Sequence, residues 1–248
     1  AASFTGKLKV AVAAADNMKI TGGSGNDTFV MANGMNGFDV IDGGDGADTI
    51  TMDSGALTTN FAQTTNVETL SINNKTTAAA YDVSKFGGST VIINLSDAND
   101  GSALEASTVT NAEGKTIVLA KSTADVADAA DDDGAKVTIT NKTDTATDTV
   151  NMQLNAINTG DGNTTGGYHT VDVATYETVN IVANKNAAGT VTANQIQNLT
   201  ATNAASVVVT GTGGFETVLA GAKVTSFDAS GLAGALILTP GGNGTKTT

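Results

Sequence analysis

The sequence predicts an all-β chain, an elongated β-solenoid or β-roll of stacked short strands that merges into β-sandwich-like layers. Three observations predict it. Residues 22–30 and 43–51 both fit a nonapeptide G-G-x-G-x-D-x-U-x, with U a large apolar residue, in which a glycine turn leads into a three-residue strand. Runs of Val, Ile and Thr, punctuated by Gly, Asn and Asp, recur down to the C-terminus. Their spacing, about twenty residues, suits coils that each bury one face only against their neighbours.

The first nonapeptide is Gly22-Gly23-Ser24-Gly25-Asn26-Asp27-Thr28-Phe29-Val30, and the third is Gly43-Gly44-Asp45-Gly46-Ala47-Asp48-Thr49-Ile50-Thr51. Between them, Gly34-Met35-Asn36-Gly37-Phe38-Asp39-Val40-Ile41-Asp42 keeps Gly37, Asp39 and Ile41 but has Met35 in place of the second glycine. Glycine tolerates positive φ and lets backbone carbonyls crowd together. The Asp at position six supplies a carboxylate oxygen, the hard ligand that Ca²⁺ prefers. Successive turns of a β-roll alternate sides, so the first and third loops should face each other, with Asp27 and Asp48 flanking one ion. The insertion Met31-Ala32-Asn33 departs from the nine-residue step. The competing reading is a Gly/Asp-rich turn series that binds nothing.

The strands that follow repeat a looser motif. Asp48-Thr49-Ile50-Thr51-Met52 recurs as Asp148-Thr149-Val150-Asn151-Met152. Glu68-Thr69-Leu70-Ser71-Ile72 recurs as Glu177-Thr178-Val179-Asn180-Ile181, and a third copy begins at Phe215-Glu216-Thr217-Val218-Leu219. Each Glu leads a strand. The expected position is a solvated coil corner, with the carboxylate bonding the turn above. Thr90 to Leu95 is nearly continuous in apolar character and predicts a strand buried on both faces. Further strands are expected at 116–119, 136–140 and 206–210, with a buried one ending the chain within 232–239. Residues 122–130 have the pattern of a short helix capped by Ser122 or Thr123. The acidic turns at Asp97–Gly101, Asp131–Gly134 and Gly160–Asn163 read as solvated loops or as weak cation sites.

Composition narrows the function. The chain has 25 acidic and 12 basic residues and a net charge of −13, and every basic residue is Lys. Without Arg there are no bidentate phosphate clamps, so no nucleic-acid partner is expected. An acidic surface attracts divalent cations. The absence of Cys excludes disulfides and thiolate chemistry. No apolar run is long enough to span a bilayer. No signal peptide or initiator Met precedes Ala1, so a piece of a larger protein is expected. The single histidine, His169, cannot complete a two- or three-His zinc site. In Gly166-Gly167-Tyr168-His169-Thr170-Val171-Asp172, strand alternation would separate Tyr168 from His169, and no enzymatic role is expected.

The two full nonapeptides resemble the RTX calcium repeats of bacterial proteins exported by type I secretion. The recurrent Glu-Thr-Val/Leu strands, with residues 227–236, resemble the strand repeats of RTX-type surface-layer proteins. That resemblance implies folding outside the cell in Ca²⁺, as a structural subunit of a bacterial surface lattice. It implies calcium ligands at Asp27 and Asp48, with the loop backbones of Gly22, Ser24 and Asn26, and of Gly43, Asp45 and Ala47, supplying carbonyls. Asp39 matches less well. The implied partners are copies of the chain in a two-dimensional lattice, and a cell-surface glycan engaged by another part of the parent protein. The implied organisation is an RTX-like β-roll with its leading strand over 1–53 and strand repeats over 54–248. A segment of a large RTX adhesin and an accessory domain of a secreted enzyme are the other readings.

Overall fold

The computed structural model describes residues 5–12, 17–31, 35–53, 63–74, 79–84, 86–95, 106–121, 136–155, 168–185, 193–221 and 223–241. These contain twenty strands and no helix. In chain order they are β1 (Lys9–Ala11), β2 (Lys19–Thr21), β3 (Thr28–Val30), β4 (Val40–Asp42), β5 (Thr49–Asp53), β6 (Gln63–Thr65) and β7 (Thr69–Asn74). Next come β8 (Ala79–Asp82), β9 (Thr90–Leu95), β10 (Ala106–Thr110), β11 (Thr116–Lys121), β12 (Lys136–Ile139), β13 (Thr149–Asn155) and β14 (Tyr168–Asp172). The last six are β15 (Thr178–Asn184), β16 (Ala193–Thr200), β17 (Ser206–Gly211), β18 (Gly214–Ala220), β19 (Ser226–Leu232) and β20 (Leu236–Pro240).

The chain winds as a two-sheet solenoid. Odd-numbered strands form one parallel sheet of ten, running without interruption from β1 to β19. Even-numbered strands form the opposing parallel sheets, three strands from β2 to β6 and seven from β8 to β20. All pairs are parallel because every coil contributes one strand to each side and returns in the same direction. The predicted solenoid is thus the observed architecture.

In-register columns explain why such short strands hold. Phe29, Ile50, Leu70, Val91, Ile117, Met152, Ile181 and Val209 lie side by side on successive strands, all facing inward. All are buried. Each such side chain contributes roughly 1.5–3 kcal/mol through burial. One continuous apolar cluster extends from Val12 to Val224. The outer face is polar and equally regular. Thr28, Thr49, Thr69, Thr90 and Thr116 form one column. The side-chain amide of Asn94 donates to Asn73 Oδ1 at 3.2 Å, and that of Asn180 to Asn151 Oδ1 at 3.0 Å. Aligned identical residues therefore pair with one another rather than clash.

Three strand-level expectations change. Among the described side chains of β9, Val91 and Ile93 are buried, while Ile92 and Asn94 face outward and are half-buried, so the strand has one buried face. The last strand is not buried. Among the described residues β20 pairs with β18 alone and lies at the end of its sheet, and Ile237 is 53% exposed. Glu216 is not a third copy of the Glu68 position: it lies inside β18 of the other sheet, beside Gln195 and Ile237. The predicted helix at 122–130 and the acidic turns at 97–101, 131–134 and 160–163 lie outside the described residues.

Lys115 shows how a coil corner is closed without an acid. Its ammonium donates to the carbonyls of Phe86 and Gly88 one coil away, both at 2.6 Å, and sits 5.4 Å from the Phe86 ring centroid. Burial pushes its pKa below the usual lysine value. Lys115→Met keeps the apolar stem and removes the charged donor. Urea unfolding should show a loss of about 1–2 kcal/mol, less than a fully buried pair because the group is partly solvated.

Candidate metal centre

The turns from an even-numbered strand to the next odd-numbered one all lie on one edge of the solenoid. Those at 22–27 and 43–48 are neighbours on that edge, because β3 pairs with β5. The loops are stitched together by backbone bonds. Asp45 N donates to Gly23 O at 3.0 Å, Thr49 N to Asp27 O at 2.9 Å, and Gly22 N to Asp42 O at 2.7 Å. Asn26 Oδ1 accepts from Ala47 N at 3.0 Å. Gly44 and Gly46 take positive φ values of 93° and 125°. A Cβ on Gly44 would lie 2.1 Å from Gly23 O, so the glycines permit both the turn and the close approach of one coil to the next.

The position-six acids form a ladder along this edge. Asp27 Oδ1 accepts from Leu8 N at 2.8 Å, Asp48 Oδ1 from Asp27 N at 2.7 Å, and Glu68 Oε2 from Asp48 N at 2.7 Å. Each carboxylate thus takes the strand-entry N–H of the coil before it, about one coil (19 to 21 residues) back in the chain. Glu177 does the same for Asp148 N at 2.9 Å, across 29 residues. Glu68 and Glu177 accordingly sit at coil corners and bond the turn above. A carboxylate that accepts backbone N–H groups can be buried at acceptable cost.

The acids differ in how fully they are satisfied. Asp27 is 1% exposed, and its Oδ2 accepts from Gly23 N at 2.8 Å, so both of its oxygens are paired. Asp39 is fully buried on the opposite edge, accepting from Met18 N at 2.9 Å and Asn36 N at 2.6 Å. It is therefore not brought beside Asp27 and Asp48. Asp48 is also fully buried, but its Oδ2 is buried with no hydrogen-bond partner among the described residues. Burial, then the charges of Asp27, Glu68 and Asp42, raise its pKa above the usual value of 3.8, against the lowering effect of the Asp27 N–H. Of the other loop positions, Gly43 is buried and Gly22 half-buried, while Ser24, Asn26, Asp45 and Ala47 are exposed.

The donor set is all oxygen: carboxylates, loop carbonyls and an Asn amide. Such a set suits a hard cation such as Ca²⁺ rather than Zn²⁺ or Cu²⁺. A second acidic group lies further along the same edge. Asp144, Asp148 and Glu177 offer oxygens that all lie within 4.8 Å of one another and could hold a metal ion. Sequence reading found Asp148 and Glu177 only as members of strand motifs. The cue was present in the shared Asp-Thr-apolar run of Asp48 and Asp148, but not which residues one coil apart would meet. Strand β14 contains Tyr168 and His169; their side chains lie outside the described residues, while Val171 points into the core and Asp172 Oδ1 caps Ala174 N at 3.1 Å.

Comparison with protein-family models, curated proteins and solved structures finds no match to this chain. No helix among the described residues is long and apolar enough to cross a membrane.

Proposed function

We propose that this chain is a calcium-stapled structural segment of a bacterial surface layer, secreted and assembled on the cell exterior. The buried, unpartnered Oδ2 of Asp48, between two stacked glycine loops and among other carboxylates, carries the calcium reading. An ionised oxygen buried without a partner is costly, and a divalent cation there would remove both the missing bond and the repulsion. Asp27, Asp48 and the loop backbones from Gly22 to Asn26 and from Gly43 to Ala47 would hold the ion. Asp39, which lies on the opposite edge and accepts from Met18 N and Asn36 N there, would serve its own coil rather than this ion. The chemistry is structural: Ca²⁺ joins one coil to the next in a chain that has no disulfides.

The surface-layer reading rests on the resemblance of the nonapeptides and strand repeats, together with a regular solenoid that can present repeated side-chain columns to neighbours. Its test is electron microscopy of the parent protein in Ca²⁺ and in chelator. Two-dimensional lattices that form with calcium and disperse on chelation are expected. Saturable glycan binding without any lattice would replace this reading with that of an RTX adhesin.

A further inference from the structure

The 35–39 turn between β3 and β4 lies on the edge opposite the glycine loops, and Phe38 in it is 77% exposed. The turn holds Asn36-Gly37, one of three Asn-Gly pairs in the sequence and the one that falls within the described residues. Bonds to Asn36 close it. Asn36 N donates to Asp39 Oδ2 at 2.6 Å, and Asp39 N donates back to Asn36 O at 3.1 Å. Phe38 N donates to the side-chain carbonyl oxygen, Asn36 Oδ1, at 2.8 Å. Asn36 and Gly37 are half-buried, so solvent water reaches both.

The Phe38 bond does more than close the turn. It completes a ring of atoms that contains both Asn36 Cγ and Gly37 N. An N–H aimed at a carbonyl oxygen polarises that carbonyl and stabilises the oxyanion formed when a nucleophile adds to its carbon. The nucleophile at hand is Gly37 N, whose residue has no Cβ to hinder the approach. Holding both groups in one turn removes part of the entropy cost of bringing them together. Two other turn asparagines are held differently. Asn66 and Asn111 donate through their amide nitrogens, to Asp42 Oδ1 at 2.9 Å and to Asp82 Oδ1 at 2.6 Å. The residues that follow them, Val67 and Ala112, each carry a Cβ.

We propose that Asn36 is a site of spontaneous deamidation in the folded chain. Gly37 N, once its proton has passed to a solvent base, attacks Asn36 Cγ. The new N–C bond closes a succinimide ring, the Cγ–Nδ2 bond breaks, and Nδ2 takes up a proton and leaves as ammonia. Water then opens the ring. Attack at the side-chain carbonyl gives an ordinary aspartate at this position. Attack at the backbone carbonyl gives isoaspartate, in which the main chain runs through the former side chain and is one carbon longer. Either product sets a second carboxylate beside the buried Asp39. The longer backbone also disrupts the paired bonds between residues 36 and 39. Those bonds position Asp39, whose other oxygen accepts from Met18 N and whose carbonyl accepts from Gln63 N, each at 2.9 Å. The modification therefore loosens the edge opposite the glycine loops, and it stands whether or not those loops bind calcium.

Fragmentation mass spectrometry of the full chain, incubated warm in mildly alkaline buffer, tests this. Wild type should gain about 1 Da at residue 36, as a mixture of aspartate and isoaspartate. Conversion at Asn36 should outrun that at Asn66 and Asn111 by about tenfold or more. Gly37→Ala should slow it by about tenfold or more, because the added Cβ hinders the attack. A parallel incubation in urea separates the folded turn from the bare dipeptide. Unfolding removes both the Phe38 N–H and the orientation, so the folded chain should convert at least as fast as the unfolded one. A mass gain confined to Asn33 or Asn243, an unchanged rate in Gly37→Ala, or a folded rate below the urea rate would overturn the proposal.

Discussion

Gly43→Ala should lower the stability of the chain by about 3 kcal/mol or more in urea unfolding, and melt the first coils before the rest. A Cβ at this position would lie 1.9 Å from Asn66 O and 2.4 Å from Asp48 Oδ2. The first neighbour is backbone and cannot swing aside. Asn66 is itself held at a φ of 52°, with its amide donating to Asp42 Oδ1 at 2.9 Å. Relief would require the coils to separate, which breaks the bond from Gly43 N to Thr65 O. Gly87→Ala is the control. Its Cβ would meet only Thr64 O, at an ordinary 3.5 Å, and its φ is not in the left-handed region. That variant should stay within about 0.5 kcal/mol of wild type.

Asp48→Asn should stabilise the chain in chelator and remove the part of its calcium response that comes from the Asp48 site. The Asn oxygen still accepts from Asp27 N, while the unpartnered ionised oxygen is gone. The sign follows from the raised pKa of Asp48. A carboxyl whose folded pKa lies above its unfolded value contributes stability that is fully present below the unfolded value and is lost as pH rises through the folded one. At neutral pH the metal-free wild type therefore carries the full cost of the charge, and the variant does not. The expected gain in chelator is about 1 kcal/mol, in the range for an unsatisfied buried polar group. It should shrink as pH falls through the raised pKa of Asp48. In Ca²⁺ at ten times the dissociation constant, wild type gains about 1.4 kcal/mol per site, and the variant loses the share of the Asp48 site. Urea titrations at two pH values, with calcium and with chelator, separate these effects.

The solenoid was legible because its signals are local. Glycine turns, β-branched runs and the Asp-Thr-apolar strand entries all lie within a few residues of one another. The stacking of Asp27 on Asp48 also followed from the alternation of sides. Partners one coil away were harder to read. Coil length is not constant: the edge bond that spans 21 residues at Asp48 spans 29 at Asp148. A fixed period therefore cannot bring Glu177 to Asp148, or Lys115 to the Phe86 carbonyl. Glu216 shows the opposite failure, since its motif matches Glu68 and Glu177 yet the register places it in the other sheet. The exposed last strand was missed for a similar reason. Residues 236–240 have the composition of a core strand, but exposure there is set by the lack of a following coil among the described residues.

The most direct test of calcium as the staple of this fold is the melting temperature of the 248-residue chain, followed by circular dichroism in Ca²⁺ and in chelator. Calcium at ten times the dissociation constant should raise it by about 3–6 °C for a single site in a chain of this size. Asp48→Asn should lose that increment. Superimposable melting curves for wild type in calcium and in chelator would contradict the account.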